Sequence, residues 1–299
     1  MRSPGSQGCH DDRVPASFAP ELCGYRGGDG NPNTSDNNDD QSIRLGRALF
    51  AELGVPDGSA GPREPGSLLE TKVAGDLGRL RPDLLVSNSG GAPSFEQYEH
   101  LAVFKTFKQA MTKSPADATS IVEALQALPP SRERATALRR VRSLVGRLDK
   151  QRDAVSAVLR DSPEESLLKI DLTVARPKAT TGNPRLEVAL SAKWSLRTDR
   201  AQDCVAQGAK LVAQRRGRMP HFAVITMEPR PAMLRILADG SGAVDCVYHL
   251  DLAALERAIR AEAGRAKGQK WSPLETFERL LGQRRLRDYD ELLDEVGRV

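Results

Sequence analysis

The chain has 299 residues, 39% hydrophobic, 28% charged and only 4% aromatic, and its 44 Lys and Arg against 40 Asp and Glu give a net charge of +4. At roughly 100–200 residues per domain this is one large domain or two small ones, long enough to bury a core without disulfides or a structural metal. No apolar run reaches the roughly 18–20 residues of a membrane helix, Met1–Asp12 has no apolar signal stretch, and Cys9, Cys23, Cys204 and Cys246 make no C-x-x-C pair, which leaves a cytoplasmic protein with reduced thiols as the expectation.

Residues 1–41 hold three arginines against seven acidic residues, a local charge of −4, set among Gly, Pro, Ser and Asn. Such a segment has little to bury and reads as a polar, flexible N-terminal arm. Order is expected from Ser42, where Ile43, Leu45, Leu49, Phe50 and Leu53 form a helical stripe behind an Asp-Asp-Gln-Ser start. The Gly/Pro loop Val55–Ser67 leads to a second helix, Leu68–Leu80, stopped by Arg81-Pro82. Phe95, Tyr98, Leu101, Phe104 and Phe107 predict a third helix over Phe95–Met111, and Asp117–Leu128 a fourth. Ser131–Arg160 reads as a long basic helix or helix pair, nine Lys and Arg against three acidic residues, with Leu138, Val141, Leu144, Val145 and Leu148 as a core stripe. Its arginines are either solvated or track phosphates.

Beyond Asp161 the pattern changes. Leu167–Ala175 and Leu186–Lys193 are short aliphatic and β-branched runs split by the turn-prone Thr-Thr-Gly-Asn-Pro, and His221–Thr226 and Val244–Leu250 are two further strands. Helices are expected at Arg200–Gln214, Leu252–Ala263, Pro273–Leu281 and Tyr289–Val296. Strands alternating with helices imply an α/β sheet in the second half of the chain.

The chemistry-bearing residues concentrate between Leu168 and Gln207. Asp171 stands in an apolar strand, with Ile170, Leu172 and Val174 on one face and Asp171 and Thr173 on the other. The next strand ends in Ser191-Ala192-Lys193, so a carboxylate and an ammonium can meet where two strands adjoin. Metal-assisted phosphodiester hydrolysis needs such a pair: a carboxylate to hold Mg2+, and a lysine to orient or deprotonate the attacking water and stabilise the pentacovalent transition state. A structural ion pair between two strands has the same appearance. Arg197, Asp199 and Arg200 then cluster at a helix start. Either Thr198 or Asp199 caps that helix beside solvated arginines, or the arginines bridge guanine O6 and N7 while the aspartate accepts from cytosine N4 in the major groove. Downstream, the run Arg215–Arg218 reads as a phosphate contact, and Arg230 and Arg235 flank a loop that meets solvent or flanking bases. His221 and His249 read as hydrogen-bonded histidines at strand ends.

The run S-A-K-W-S-L-R-T-D-R-A-Q, followed by R-R-G-R-M-P-H, an apolar strand, T-M-E-P and D-C-V-Y-H, resembles the tetrameric type II (type IIF) restriction endonucleases that cut sites with a CCGG core, most closely the type that cuts GCCGGC. The similarity is contiguous over Ser191–His249. Weaker pieces reach back through Tyr98-Glu99-His100-Leu101, Arg81-Pro82 and Leu69-Glu70 to the helix near Ile43. The resemblance implies a restriction-endonuclease-like α/β fold with a PD-(D/E)xK core, a mixed β-sheet flanked by helices, in one catalytic and DNA-binding domain over residues 42–299. It implies Mg2+ as cofactor, double-stranded DNA as partner and a homo-oligomer, a dimer of dimers, with no membrane association. The family's central metal ligand falls on Asp171, its S-x-K signature on Ser191 and Lys193, and the metal-facing carbonyl on Ala192. An acidic residue from the helical region falls on Glu70, and the readers of the CCGG core fall on Arg197, Asp199 and Arg200.

Two positions depart from the family pattern. Ile170 stands where a proline usually precedes the strand aspartate, a change that affects strand entry only. Gln207 stands where the second acidic ligand is expected, and glutamine brings no charge. Asp203, one helical turn earlier on the same face, is the candidate substitute. The rival reading is a sequence-specific DNA-binding protein of the same fold with weak or lost cleavage.

Overall fold

The aliphatic runs of the second half assemble into one sheet whose strands lie in chain order. The computed structural model describes residues 15–102, 116–161, 168–179, 181–239, 242–265 and 271–299. The strands are β1 (Leu85–Gly91), β2 (Lys169–Arg176), β3 (Arg185–Lys193), β4 (His221–Thr226), β5 (Cys246–His249) and β6 (Leu286–Asp288). β1, β2 and β3 pair antiparallel, and β3 to β6 pair parallel. Parallel neighbours need crossover connections. These are α6 (Thr198–Gln214) between β3 and β4, α7 (Pro231–Ala238) between β4 and β5, and α8 (Leu252–Arg265) with α9 (Ser272–Gly282) between β5 and β6. The helices preceding the sheet core are α1 (Ala19–Leu22), α2 (Asp40–Glu52), α3 (Pro65–Leu80), α4 (Ala116–Ala127) and α5 (Arg132–Asp161), and α10 (Tyr289–Arg298) closes the chain.

Central β3 and β4 are buried on both faces along most of their length, in keeping with their predominantly apolar runs LEVALSA and HFAVIT. α6 buries Ala201, Cys204, Gly208 and Leu211 as one stripe, and α3 buries Leu69, Val73 and Leu77. α2 is capped by Asp39, whose side chain accepts from the amides of Gln41 and Ser42 at 2.9 and 3.1 Å.

Three elements differ from the sequence reading. β1 and the three-residue β6 carry no alternating pattern of their own; pairing with β2 and β5 holds them extended. α7 forms where Arg230 and Arg235 suggested a loop, started by Pro231 and held by the buried Leu234 and Leu237. The region of the expected third helix is two 3-10 stretches, Ala92–Ser94 and Glu96–Leu101, and the remainder, from residue 103 onward, lies outside the described residues. Buried Phe95, Tyr98 and Leu101 recur every third residue, the repeat of a 3-10 turn.

α4 and α5 pack on one another as a hairpin. No residue from 120 to 155 is buried, and Leu144 and Leu148 of the expected core stripe are each 49% exposed. Of the segment read as a polar arm, residues 1–14 lie outside the described residues, while 15–41 lie against the body. Its few apolar side chains are placed to dock: Ala16, Phe18, Ala19, Leu22, Cys23 and Tyr25 are all buried. The Phe18 ring meets Tyr289 edge-on at 5.7 Å, and Tyr25 meets Phe50 at 5.6 Å. Average composition hides such sparse anchors.

Candidate functional site

Residues two apart on a strand share a face, so the S-x-K spacing puts Ser191 and Lys193 on one side of β3. The antiparallel register that pairs Leu172 with Leu190 brings Asp171 of β2 onto that same side. Asp171 Oδ2 accepts from Ser191 Oγ at 3.0 Å, from the Ala192 amide at 2.9 Å and from Lys193 Nζ at 2.5 Å. All three contacts fall on one oxygen, and Oδ1 takes none of them. The Asp171 and Lys193 side chains remain 23% and 27% exposed, so the pair is reachable from solvent.

Glu70 reaches the same place from α3. Its carboxyl is held above the ordinary glutamate value by burial first and by the charge of Asp171 second, with Lys193 opposing. A second carboxylate that feels the charge of Asp171 is an arrangement that a hard cation relieves. Among the described residues no three His, Cys, Asp or Glu side chains come together to hold a metal ion. Mg2+ makes no such demand; it keeps several waters and binds through one or two carboxylates. The residues present therefore fit Mg2+ and suit zinc poorly, since Cys and His are the ligands zinc favours.

A cleft of about 380 Å³ opens beside this point, lined by Lys169, Ser191, Lys193, Asp203, Gln207 and Lys210 among others. Three lysines on its walls make it a place for an anion. Asp203 and Gln207 both face it from α6, one turn apart. Gln207 donates from Nε2 to the Lys169 carbonyl, a bond that a glutamate could not make.

The chain leaves β3 through Trp194 and Leu196, which are buried, and turns into α6. Arg197 is the N-cap with extended backbone, and no side chain caps the helix, in place of the Thr198 or Asp199 cap that the sequence offered. Arg197, Asp199 and Arg200 are all exposed at this start. Among the described residues their side chains enter no ion pair, the flanking pairs along the chain being Lys193–Asp171 and Arg218–Glu187. The sequence-derived site residues thus come together in two adjoining groups: Asp171, Ser191, Ala192, Lys193 and Glu70, and the free Arg197, Asp199 and Arg200.

Other expectations are redirected. Arg230 is 5% exposed and bonded internally, so it does not reach flanking bases. Glu228, fully buried, is its partner and was marked in the sequence only by the T-M-E-P run. Arg215–Arg218 stands at the far end of α6, which at 17 residues puts it about 25 Å from Arg197. There Arg218 lies 3.9 Å from the buried Glu187, and the Arg216 amide donates to the Gln97 carbonyl. His221 sits between Asp245 and Tyr248 at 3.1 and 3.0 Å, and its pKa is pushed up to about 9 by Asp245 and Cys246 against the opposing effect of burial. His249 is fully buried and accepts the Asp251 amide; burial pushes its pKa down to about 4.

The family model of the NgoMIV restriction enzyme matches residues 166–295, which include β2, β3, α6 and the loop bearing Glu228. The chain is 43% identical over 90 residues to the type II restriction enzyme NgoMIV of Neisseria gonorrhoeae, a stretch covering 30% of this chain and 32% of that protein. The aligned region thus spans about a third of the length of the curated relative it matches. With a mixed six-stranded sheet flanked by helices, the architecture is an α/β fold of the restriction-endonuclease type.

Proposed function

We propose that this protein is a type II restriction endonuclease that makes Mg2+-dependent double-strand cuts in DNA at a palindromic site with a CCGG core, GCCGGC being the first to test. The observation that carries the reading is the Asp171–Ser191–Lys193 constellation standing directly before an unpaired Arg-x-Asp-Arg cluster. Similarity to a restriction enzyme supports it.

Asp171 and Glu70 would hold Mg2+, with the Ala192 carbonyl alongside. Bound there, the ion supplies charge neutralisation at the phosphate and a more acidic water. Ser191 and the Ala192 amide fix the Asp171 carboxylate in place. Lys193, on a rigid strand end, presents an ammonium to the attacking water and to the charge that develops on the phosphorane. Asp203 contributes the negative charge that Gln207 lacks. Arg197 and Arg200 read guanines and Asp199 a cytosine; a second copy related by a two-fold axis reads the other half-site. Assembly as a dimer of dimers and a cytoplasmic location belong to this proposal. The exposed arginines of α5 add a basic surface for phosphates.

Gln207 favours one rival, specific binding without cleavage. The test is incubation with CCGG-containing duplexes in Mg2+, in Ca2+ and without metal. Cutting in Mg2+ alone, abolished by Lys193→Ala with binding in Ca2+ retained, is the expected result. Specific binding without cutting would establish the rival, and neither binding nor cutting would remove both. Within the active enzyme, Asp203→Asn is expected to raise the Mg2+ concentration needed for half-maximal cleavage; an unchanged titration would refute the role given to Asp203.

A further inference from the structure

The segment that leads into the base-reading cluster is held by a buried ion pair on another loop. Glu228 Oε2 accepts the Leu196 amide at 2.7 Å, and Arg230 donates from Nη2 to the Leu196 carbonyl. Both backbone groups of the residue before Arg197 are thus gripped by one pair. The pair is closed on itself: Glu228 Oε1 accepts Arg230 Nε at 2.6 Å and the Arg230 amide at 3.1 Å. Its outer end is tied to the N-terminal segment, where Arg230 Nη1 donates to Asp39 Oδ2 at 3.2 Å. One residue pair upstream, the Trp194 carbonyl accepts the Met227 amide at 3.2 Å, and Trp194 Nε1 donates to Asn33 Oδ1 at 3.0 Å.

Burying a carboxylate and a guanidinium is costly in desolvation, and an apolar pair of similar volume often holds a fold as well or better. What an apolar pair cannot do is bind an N–H and a C=O at set positions. The start of α6 has no side-chain cap of its own, so the direction of Arg197, Asp199 and Arg200 depends on where Leu196 is held. Two long arginines and one short aspartate can make bidentate base contacts only if their backbone is placed to within a fraction of an ångström.

We propose that Glu228 and Arg230, with Asp39 behind them, are positioning residues that set the sequence specificity of the Arg197–Arg200 cluster. This rests on the reading of that cluster as the base reader. None of the three touches DNA; they act through Leu196.

The experiment compares wild type with Arg230→Met, Arg230→Lys and Asp39→Asn on a CCGG-core duplex and on duplexes changed at one core base pair. Cleavage in Mg2+ and binding in Ca2+ are both measured, with a thermal melt to show that each variant is folded at the assay temperature. Arg230→Met is expected to lower the cognate-to-variant ratio of kcat/KM at least tenfold, while the salt dependence of binding, which counts phosphate contacts, stays unchanged. Arg230→Lys should restore part of the ratio, and Asp39→Asn, which loosens only the outer end, should lower it less. Should Arg230→Met fail to fold, the Asp39→Asn and Arg230→Lys ratios decide. Folded variants that retain the wild-type ratio, with or without a lower Tm, overturn the proposal while leaving the nuclease reading intact. A wild type that neither binds nor cuts the cognate duplex overturns the nuclease reading, and the positioning role with it.

Discussion

Substitution of Gly208 by alanine tests how tightly α6 is pressed against the sheet. A helix-interior glycine replaced by alanine ordinarily gains about 1 kcal/mol, because alanine loses less backbone freedom. At Gly208 an added Cβ would stand 2.4 Å from the Ala243 carbonyl oxygen and 2.7 Å from the Phe222 ring, closer than the 3.0 Å that real Cβ contacts respect. Neither neighbour can swing aside: one is backbone, and the Phe222 ring is completely buried. The helix must therefore retreat by at least about 0.6 Å. Overpacking of this kind costs typically 1–3 kcal/mol. Set against the propensity gain, Gly208→Ala should destabilise by up to about 2 kcal/mol, a fall in Tm of roughly 2–4 °C per kcal/mol. The retreat carries Asp203, Gln207 and the helix start away from Lys193, and misplacement on this scale costs up to about 100-fold in rate. Gly146 in α5 is the matched control, since nothing lies within 4 Å of its added Cβ. Thermal melts of the two variants beside wild type are the assay, followed by cleavage rates. A Gly208→Ala protein that melts above wild type would refute the close approach and the coupling argued from it.

Further outcomes follow from the same geometry. His221 has a folded pKa of about 9 against about 6.5 in the unfolded chain. Its contribution to stability is thus complete below pH 6.5 and is lost as the pH rises towards 9. His221→Asn should flatten the decline in Tm across that window, and an unchanged slope would refute the His221–Asp245 pairing. Gln207→Glu breaks the bond to the Lys169 carbonyl but adds a charge to the cleft, so the Mg2+ concentration for half-maximal cleavage should fall even as Tm drops; a Mg2+ titration checks it. Arg200→Ala should cost about 1–3 kcal/mol of discrimination at one guanine position and leave the other positions unchanged, read from cleavage of single-substitution duplexes.

Much of the sheet and one group of site residues were legible in the chain itself. The runs around Asp171 and Lys193 are apolar enough to be strands, and period two then dictates that Ser191 and Lys193 share a face. Helix α6 announces itself by its apolar stripe, and its basic start by simple inspection. The Glu228–Arg230 pair was not legible. Two opposite charges flanking a proline look like solvated loop residues, and their burial depends on Leu196, some thirty positions earlier, being brought against them. Nor could the N-terminal segment be judged from its average, because docking turns on a handful of apolar side chains and on Asn33 and Asp39 meeting Trp194 and Arg230.

The +4 net charge illustrates the same division. Composition alone established a chain large enough for a core, and local pattern located a basic cluster from Lys193 to Arg218. Only the tertiary structure separated that cluster into its parts: Lys193 bonded to Asp171, Arg197 and Arg200 left free at the head of α6, and Arg218 drawn towards a buried glutamate at the other end. Local sequence determines periodicity, and periodicity determines which side chains share a face. Whether a charge is spent inside the molecule or left for a partner depends on what the fold packs against it, and those neighbours come from distant parts of the chain.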